Sequence, residues 1–598
     1  MVIIHMNRFF NILLVAAALF EGAACNPINP DDNNKGNQQK ENESLTELNG
    51  TAINKDANMI GIVKDSSGKP IVGVPVTDGY TYVVTDENGV YQIVGSRYAR
   101  KAYLSIPSGY EVPLDENSHL PAFYSPGTII RDQQNRYDFT LTPQSTPEEK
   151  FTLVMIGDPQ CQTEAQVLRY TSESIPNIQS TLSTFATKYP NPYAITLGDI
   201  TFDSTNTWEG MKKSMSNIKV GSRYLPFFQC IGNHDHNSQT STDFDATASY
   251  FENFGPTDYS FDRGNIHIIV MDDVLATTTS TNSSPNRATW NYNGGFTTYQ
   301  WKWLQADLKL VQNKAEKCVV LCCHIPFRSG SSSGGASVNK TDAYYTEVLN
   351  ALKAFKEAHI MIGHTHYPQN YIHNSYRTKN GLPIYEHIHG AACGAWWSSN
   401  LNTNGQPNGY SLYECDAKNG TITNWVAKST KDDIGVQMRV YDGDQIYTGT
   451  KGYQYAWTTT TNGGAGALNV GGSSNIFAKG NQVFKNAFVA AVWNDDATNW
   501  KVELYQNGVK VGDFKRLGDG GSCDVCVCSF FFNELNKNTT SWTTSTASHY
   551  WYYVPASAKP STEKNWEVVA TQVIPTSKKT NVYRCSAFTV DYAGFASN

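Results

Sequence analysis

The chain has little of several things, and each scarcity excludes a class. After its first twenty-five residues no apolar run is long enough to cross a membrane as a helix, which takes about 20 apolar residues. Positive charge is not in excess: 47 Lys and Arg face 54 Asp and Glu, and a net charge of −7 is mild for 598 residues. That balance gives no electrostatic basis for a nucleic-acid or anionic-membrane partner. Cysteine is sparse, twelve residues in all, which excludes a disulfide-dense scaffold. Setting Cys25 aside leaves an odd number, so at least one thiol is unpaired within the chain. Cys523-Asp-Val-Cys526-Val-Cys528 is spaced like half a zinc site, but no second ligand pair follows it. A structural strand or a local disulfide is expected there. Methionine is scarce too, nine against 34 Tyr. Together with many Thr, Asn and Gly this points to sheets joined by polar loops.

At 598 residues one core does not suffice, and roughly two to four domains are expected. Residues 1–25 read as a targeting segment. Arg8 precedes the apolar stretch Phe9 to Leu19, and small residues Gly22-Ala23-Ala24 lead to Cys25. The stretch suits a signal-peptide core and is too short to span. Its ending resembles a bacterial lipobox, although Glu21 is unusual there, so export with a lipid anchor at Cys25 is expected. Residues 26–56 are rich in Asn, Gln, Glu and Lys and read as a flexible tether.

Residues 57–145 alternate Val/Ile strands with Ser-Ser-Gly, Asp-Gly and Glu-Asn-Gly turns, the pattern of a small β-sandwich. The unit resembles carboxypeptidase-regulatory or transthyretin-like modules, and Asp78 and Asp86 read as its turn residues. Residues 150–395 alternate β runs with amphipathic stretches. In one of these, Trp303, Leu304, Leu308 and Val311 share a helical face; a second helix is expected from Tyr344 to Glu357. Residues 277–293 and 329–340 read as loops bordering a site. From 400 to 598 the chain again reads as β, with runs such as FVAAVW and HYWYYV, an all-β accessory domain.

Within 150–395 five blocks each follow a strand-like apolar run. They are Gly157-Asp158-Pro159-Gln160, Gly198-Asp199, Gly232-Asn233-His234-Asp235, His324 and Gly363-His364-Thr365-His366, after FTLVMI, PYAIT, LPFFQCI, CVVLCC and AHIMI. A lone Gly-Asp is usually a turn and a lone His a structural residue. Five such blocks in order place Asp, Asn and His repeatedly at one rim of a sheet. Two cations about 3.5–4 Å apart can clamp a phosphate ester and generate a nucleophilic hydroxide near neutral pH. Asp158, Asp199, Asn233, His324, His364 and His366 supply the ligand types, and His234 with Asp235 a proton donor and its orienting partner. His236, His387, His389 and Arg328 are weaker candidates for lining the pocket or touching substrate.

These blocks resemble the signature of the calcineurin-like metallophosphoesterase superfamily, and the flanking β units resemble the accessory domains of some exported bacterial members. Trp396-Trp397 and Asn408-Gly409-Tyr410 suit that subgroup. The resemblance implies an α/β four-layer sandwich (α/β/β/α) flanked by two all-β domains. It further implies hydrolysis of phosphate monoesters or diesters by a metal-bound hydroxide at the cell envelope. Position by position, Asp199 would bridge two metals, Asp158, His366 and Gln160 would complete one, and Asn233, His324 and His364 the other. His234 would face phosphate and leaving group, held in its tautomer by Asp235. Gln160 departs from the family's usual His. An amide oxygen is a weaker ligand for late transition metals, which favours Mn or Fe over Zn at two divalent or trivalent positions. The expected substrate is a phosphorylated small molecule or envelope component. The competing class is a surface glycan- or protein-binding protein that keeps the metal fold as a scaffold.

Overall fold

The five apolar runs all form strands, and they divide between two sheets. In the computed structural model, residues 44–598 are described, apart from 204, 279–289, 330–336, 339–342, 444–485, 518–523, 525, 528–529, 531–548, 557–564 and 590–598. The expected signal segment, most of the expected tether, Cys523 and Cys528 therefore lie outside the described residues. The first central sheet has the order Phe227–Cys230, Pro192–Leu197, Lys150–Ile156, Gly409–Asp416, Thr421–Ser429. Its first three strands are parallel and its last two antiparallel. The second runs Tyr259–Arg263, Ile266–Val270, Cys318–Cys322, Glu357–Ile362, Pro383–Ile388, Gln369–Arg377, with four parallel strands in the middle. Parallel strands covered on both faces need continuous apolar runs, which is why these segments do not alternate.

The two sheets pack face to face. Leu153, Met155, Ile195, Leu197 and Phe228 of the first meet Phe261, Ile268, Val320 and Met361 of the second in one buried core. Helices Glu164–Arg169, Ile175–Thr184 and Trp208–Met215 cover the outer face of the first sheet through Val167, Ile178, Leu182 and Met211. Helices Thr298–Leu310 and Tyr345–Leu352 cover the second through Trp303, Leu304, Leu308, Val348 and Leu349. The α/β/β/α sandwich is thus formed. Thr297 and Gln300 make a reciprocal capping box that fixes the start of the first of these two helices. The second stops at Leu352, and Glu357 already opens the next strand, so the expected helix runs five residues too far at its end.

Three boundaries differ from the sequence reading. Strands Gly409–Asp416 and Thr421–Ser429, expected in the C-terminal β domain, complete the first central sheet: Lys150 pairs with Asp416 and Met155 with Ser411. The catalytic unit therefore runs past 395 to Ser429. At the other end, Glu47–Leu48 and Thr51–Ala52 form a hairpin, and Leu48 is buried with Ile60 and Val90, so the tether ends before residue 47. Finally, Trp290–Gly294 is a strand paired with Val274–Thr278, not a loop.

On either side lie all-β units. In the N-terminal one, a sheet around Met59–Asp65 packs on a sheet around Pro75–Thr77. Asp78 and Asp86 accept backbone N–H groups in turns there, as expected. In the C-terminal one, two four-stranded sheets enclose Val440, Phe488, Val502, Trp551 and Val568. The nine described cysteines are free thiols, and no helix of the described residues is long and apolar enough to cross a membrane.

A buried ion cluster ties helix Thr298–Leu310 to the second sheet. His267 sits 2.7 Å from Asp262 and 2.8 Å from Asp307 through its two ring nitrogens, so both must donate and the ring is an imidazolium. Burial alone would lower its pKa, but Asp307 and Asp262 outweigh that and raise it to about 10. A raised pKa contributes stability in full below the ordinary value of about 6.5, and the contribution fades as pH rises through about 10. The His267→Leu change leaves Asp307 buried without its cation and is expected to cost about 3–5 kcal/mol near neutral pH. Urea unfolding should show that loss shrinking as pH rises from about 6.5 toward 10. A loss that does not change with pH in that window would mean the ring is neutral.

Candidate metal centre

Each of the five blocks occupies the turn just beyond the carboxyl end of its strand, and the turns converge on one rim of the two sheets, where ligands of open α/β sheets bind. The turns are tight enough to force unusual backbone. Asp158, Gln160, Asp199, His364 and His366 have φ of 41, 46, 47, 70 and 61°, left-handed values that non-glycine residues seldom adopt. The glycines are dictated by contact: a Cβ on Gly232 would lie 2.2 Å from the Asp199 nitrogen, and one on Gly198 2.4 Å from His324 Nδ1.

All seven candidate ligands come together. Ligand atoms of Asp158, Asp199 and His366 lie within 4.8 Å of one another, with His366 Nε2 3.6 Å from Asp158. On the other side of Asp199, its Oδ2 is 3.4 Å from His324 Nε2. The Asn233 Oδ1 is 3.1 Å from that nitrogen and 3.0 Å from His364 Nδ1, and the two imidazole nitrogens are 3.2 Å apart. His324 Nδ1 donates to the Leu197 carbonyl at 2.8 Å, which turns the Nε2 lone pair inward. Asp273 accepts the backbone N–H groups of His324 and Ile325 and the Tyr345 hydroxyl. It is a support that the strand pattern did not single out.

This donor set fits metal ions. Two inward imidazole lone pairs and an amide oxygen at such distances repel unless a proton or a cation lies among them. Gln160 donates from Nε2 to Asp199 Oδ2 at 2.9 Å, while its buried Oε1 has no hydrogen-bond partner among the described residues. Burial holds the Asp158 carboxyl well above the usual carboxylate range. Burial opposes ionisation of Asp199 as well, but His324 outweighs it and holds that carboxyl well below the usual range. His324 is correspondingly raised to about 10, burial being outweighed by Asp199. Burial and the neighbouring His324 lower His364 to about 3, and burial lowers His366 to about 4. The charge of the Asp199 carboxylate is thus balanced by the His324 imidazolium, the place a bound cation would take.

His234 borders this centre, and its partner corrects the expected one. Its Nδ1 lies 2.9 Å from Asp203, not Asp235, and Phe202 stacks on the ring at 4.3 Å. Asp235 is buried and instead accepts the backbone N–H groups of Gly232, Ile200 and Thr201. It locks the Gly198 and Gly232 turns together, and burial and then Asp199 raise it to about 6. A four-residue step from Asp199 to Asp203 was the available signal, but only the left-handed φ of both residues folds Asp203 back onto His234.

None of the weaker candidates lines the cavity over the ligands, and only His236 lines the neighbouring one. His236 is buried, with Nδ1 on the Gly232 carbonyl and Nε2 on Asp272. His387 and His389 are buried and bonded to Asn370, His359, Ile362 and Tyr413. Arg328 stacks over Tyr371 and donates to Gln369. Sequence reasoning gave no role to Tyr292, Trp396 or Thr403, which line the cavity over the ligands. Trp396 lies 4.6 Å from the His366 ring and Trp397 donates to the Pro159 carbonyl.

Known proteins place this arrangement. Residues 151–368 match the family model of calcineurin-like phosphoesterases, residues 57–144 that of their N-terminal part and residues 386–575 that of their C-terminal part. The chain belongs to the calcineurin-like phosphoesterases, with both flanking regions of that family. No curated protein matches the chain. Among solved structures, it is similar to a purple acid phosphatase from yellow lupin (Lupinus luteus) seeds, with 11% identity, 58% of each chain covered and a TM-score of 0.30. It is also similar to the NAD nucleotidase of Haemophilus influenzae, with 13% identity, 47% of this chain and 50% of that one covered, and a TM-score of 0.26. A third is a calcineurin-like phosphoesterase from Bacillus subtilis, with 11% identity, 48% and 93% covered, and a TM-score of 0.24. The chain thus spans between half and three fifths of the first two.

Proposed function

We propose that this protein hydrolyses the phosphate ester of a small molecule or envelope component, outside the cytoplasm, at a centre of two metals that share Asp199. The observation carrying this reading is the pair of donor groups meeting at that carboxylate, Asp158 and His366 on one side and Asn233, His324 and His364 on the other. Gln160 would add its amide oxygen to the Asp158 side, and that amide favours Mn or Fe over Zn. When bound, the metals supply Lewis acidity toward the phosphoryl oxygens and activate water. His234 directs Nε2 toward the ester because Asp203 engages Nδ1, and it gives a proton to the departing oxygen. Asp235 keeps the loops carrying Asp199 and His234 in register through its three backbone contacts.

Chelation is expected to abolish hydrolysis of nitrophenyl phosphate and bis-nitrophenyl phosphate, and added Mn²⁺ to restore it. Restoration by Zn²⁺ should improve relative to Mn²⁺ in a Gln160→His form. Turnover that survives complete metal removal would overturn the reading. The location rests on Gly22-Ala23-Ala24-Cys25 as a lipidation signal; a Cys25→Ala chain that still partitions with membranes would remove the anchor from the proposal.

A further inference from the structure

His234 stands between two cavities. One, of about 130 Å³, lies over the ligands and includes Asp199, Asn233, His364, His366, Tyr292 and Trp396. The other, of about 230 Å³, also borders the imidazole. We infer that this second cavity receives the departing alcohol of the substrate, and that the alcohol is a neutral polyol of the glycerol or sugar class. The inference rests on the proposed hydrolysis and adds which esters the centre prefers.

The position follows from the chemistry of the step. Hydrolysis forms a P–O bond to a water oxygen and breaks the P–O bond to the alcohol. The leaving oxygen takes a proton from His234 Nε2, and the attacking water yields its proton to solvent, so atoms and charge balance. In-line displacement expels the alcohol on the side of its proton donor. Because His234 is fixed by Asp203 at 2.9 Å and by Phe202 stacked at 4.3 Å, the alcohol must leave beside that ring, where the second cavity begins.

The lining of that cavity sets the class of alcohol. Its neutral polar wall is Thr201, Asn237, Ser238, Gln239 and Ser249, with Trp208 as the one residue bearing a large apolar ring; Asp203, Asp235, His234 and His236 complete it, and no Lys, Arg or aliphatic residue is among the described lining residues. A second phosphate would meet the Asp203 and Asp235 carboxylates, the His236 ring being already engaged by Asp272 and the Gly232 carbonyl, and an acyl or alkyl chain would find only Trp208. The side-chain polar groups of Ser238, Gln239 and Ser249 have no hydrogen-bond partner among the described residues; only the backbone of Gln239 and Ser249 is engaged. Several neutral donors and acceptors in one cavity match a molecule with several hydroxyls. A site that bonds a substrate hydroxyl discriminates against analogues lacking it far better than an apolar pocket discriminates between sizes.

The test compares Mn²⁺-loaded enzyme on glycerol phosphate, a hexose phosphate, n-butyl phosphate and phenyl phosphate, for the wild type and an Asn237→Ala/Gln239→Ala form. The kcat/KM for the polyol esters is expected to exceed that for the butyl ester by about tenfold or more, and the double change to bring the ratio close to one. A wild-type ratio near one, or a ratio the double change leaves intact, overturns the inference while the hydrolase stands. A second arm needs no turnover: free glycerol and glucose, followed by ligand-observed NMR, should bind the wild type and not the double variant. If no ester is cleaved, the hydrolase reading fails and this binding arm decides the cavity. Absence of polyol binding there overturns the inference, and selective binding lost in the variant supports it.

Discussion

An Asp199→Asn form should lose at least one metal per chain and more than about a thousandfold in kcat, since removing even an outer partner of a metal ligand costs about 10–100-fold. The side chain touches both halves of the centre: Oδ2 is 3.4 Å from His324 Nε2 and 2.9 Å from Gln160 Nε2, and Oδ1 accepts the His234 N–H at 2.8 Å. Asparagine keeps the last of these contacts through its carbonyl oxygen and removes the shared negative charge. The fold should therefore survive. Without metal, the asparagine form is expected to unfold below the temperature of the wild type, because the buried His324 loses its carboxylate partner. Elemental analysis and steady-state kinetics on the same preparation make the check. Full metal content together with near-normal kcat would remove Asp199 from the bridging position.

Loss of the proton donor should show in a different way. His234→Ala is expected to lower kcat by about 10²–10⁴-fold, with metal content unchanged, and the loss should be greater for an alkyl ester than for a nitrophenyl ester. A nitrophenolate leaves without a proton; an alkoxide does not. Asp203→Asn keeps the steric contact at 2.9 Å but offers Nδ1 an amide in place of a carboxylate, and should give a smaller loss with the same dependence on leaving group. Asp235→Asn should behave otherwise, lowering stability and all substrates alike, because Asp235 bonds backbone and not the ring. Equal losses for both kinds of ester in His234→Ala would reduce His234 to a stabiliser of charge.

How much of this was legible in the sequence follows from chain distance. The strand runs and the residues directly beyond them were readable because both belong to one local unit, an apolar run and its turn; all seven ligand candidates and His234 are of this kind. Asp203 was not, because its approach to His234 depends on two left-handed residues that spacing does not reveal. Trp396 and Tyr292 reach the centre from segments whose own patterns say only tryptophan pair and polar loop. That strands Gly409–Asp416 and Thr421–Ser429 complete the first central sheet is hidden for a related reason. Their composition matches the β domain that follows, and nothing local marks a strand as the partner of one about 260 residues earlier.

That pairing has a consequence for how the protein comes into being. Strand Lys150–Ile156, which delivers Asp158, lies in the middle of its sheet, with Pro192–Leu197 on one side and Gly409–Asp416 on the other. A ribosome makes the first neighbour within a few dozen residues and the second only after every metal ligand has been synthesised. Until then one edge of the Asp158 strand is open, and an open edge is a template for pairing with other chains. Metal loading therefore belongs to the finished chain, and a polypeptide halted just after His366 would carry every ligand without the sheet that holds the first of them in place.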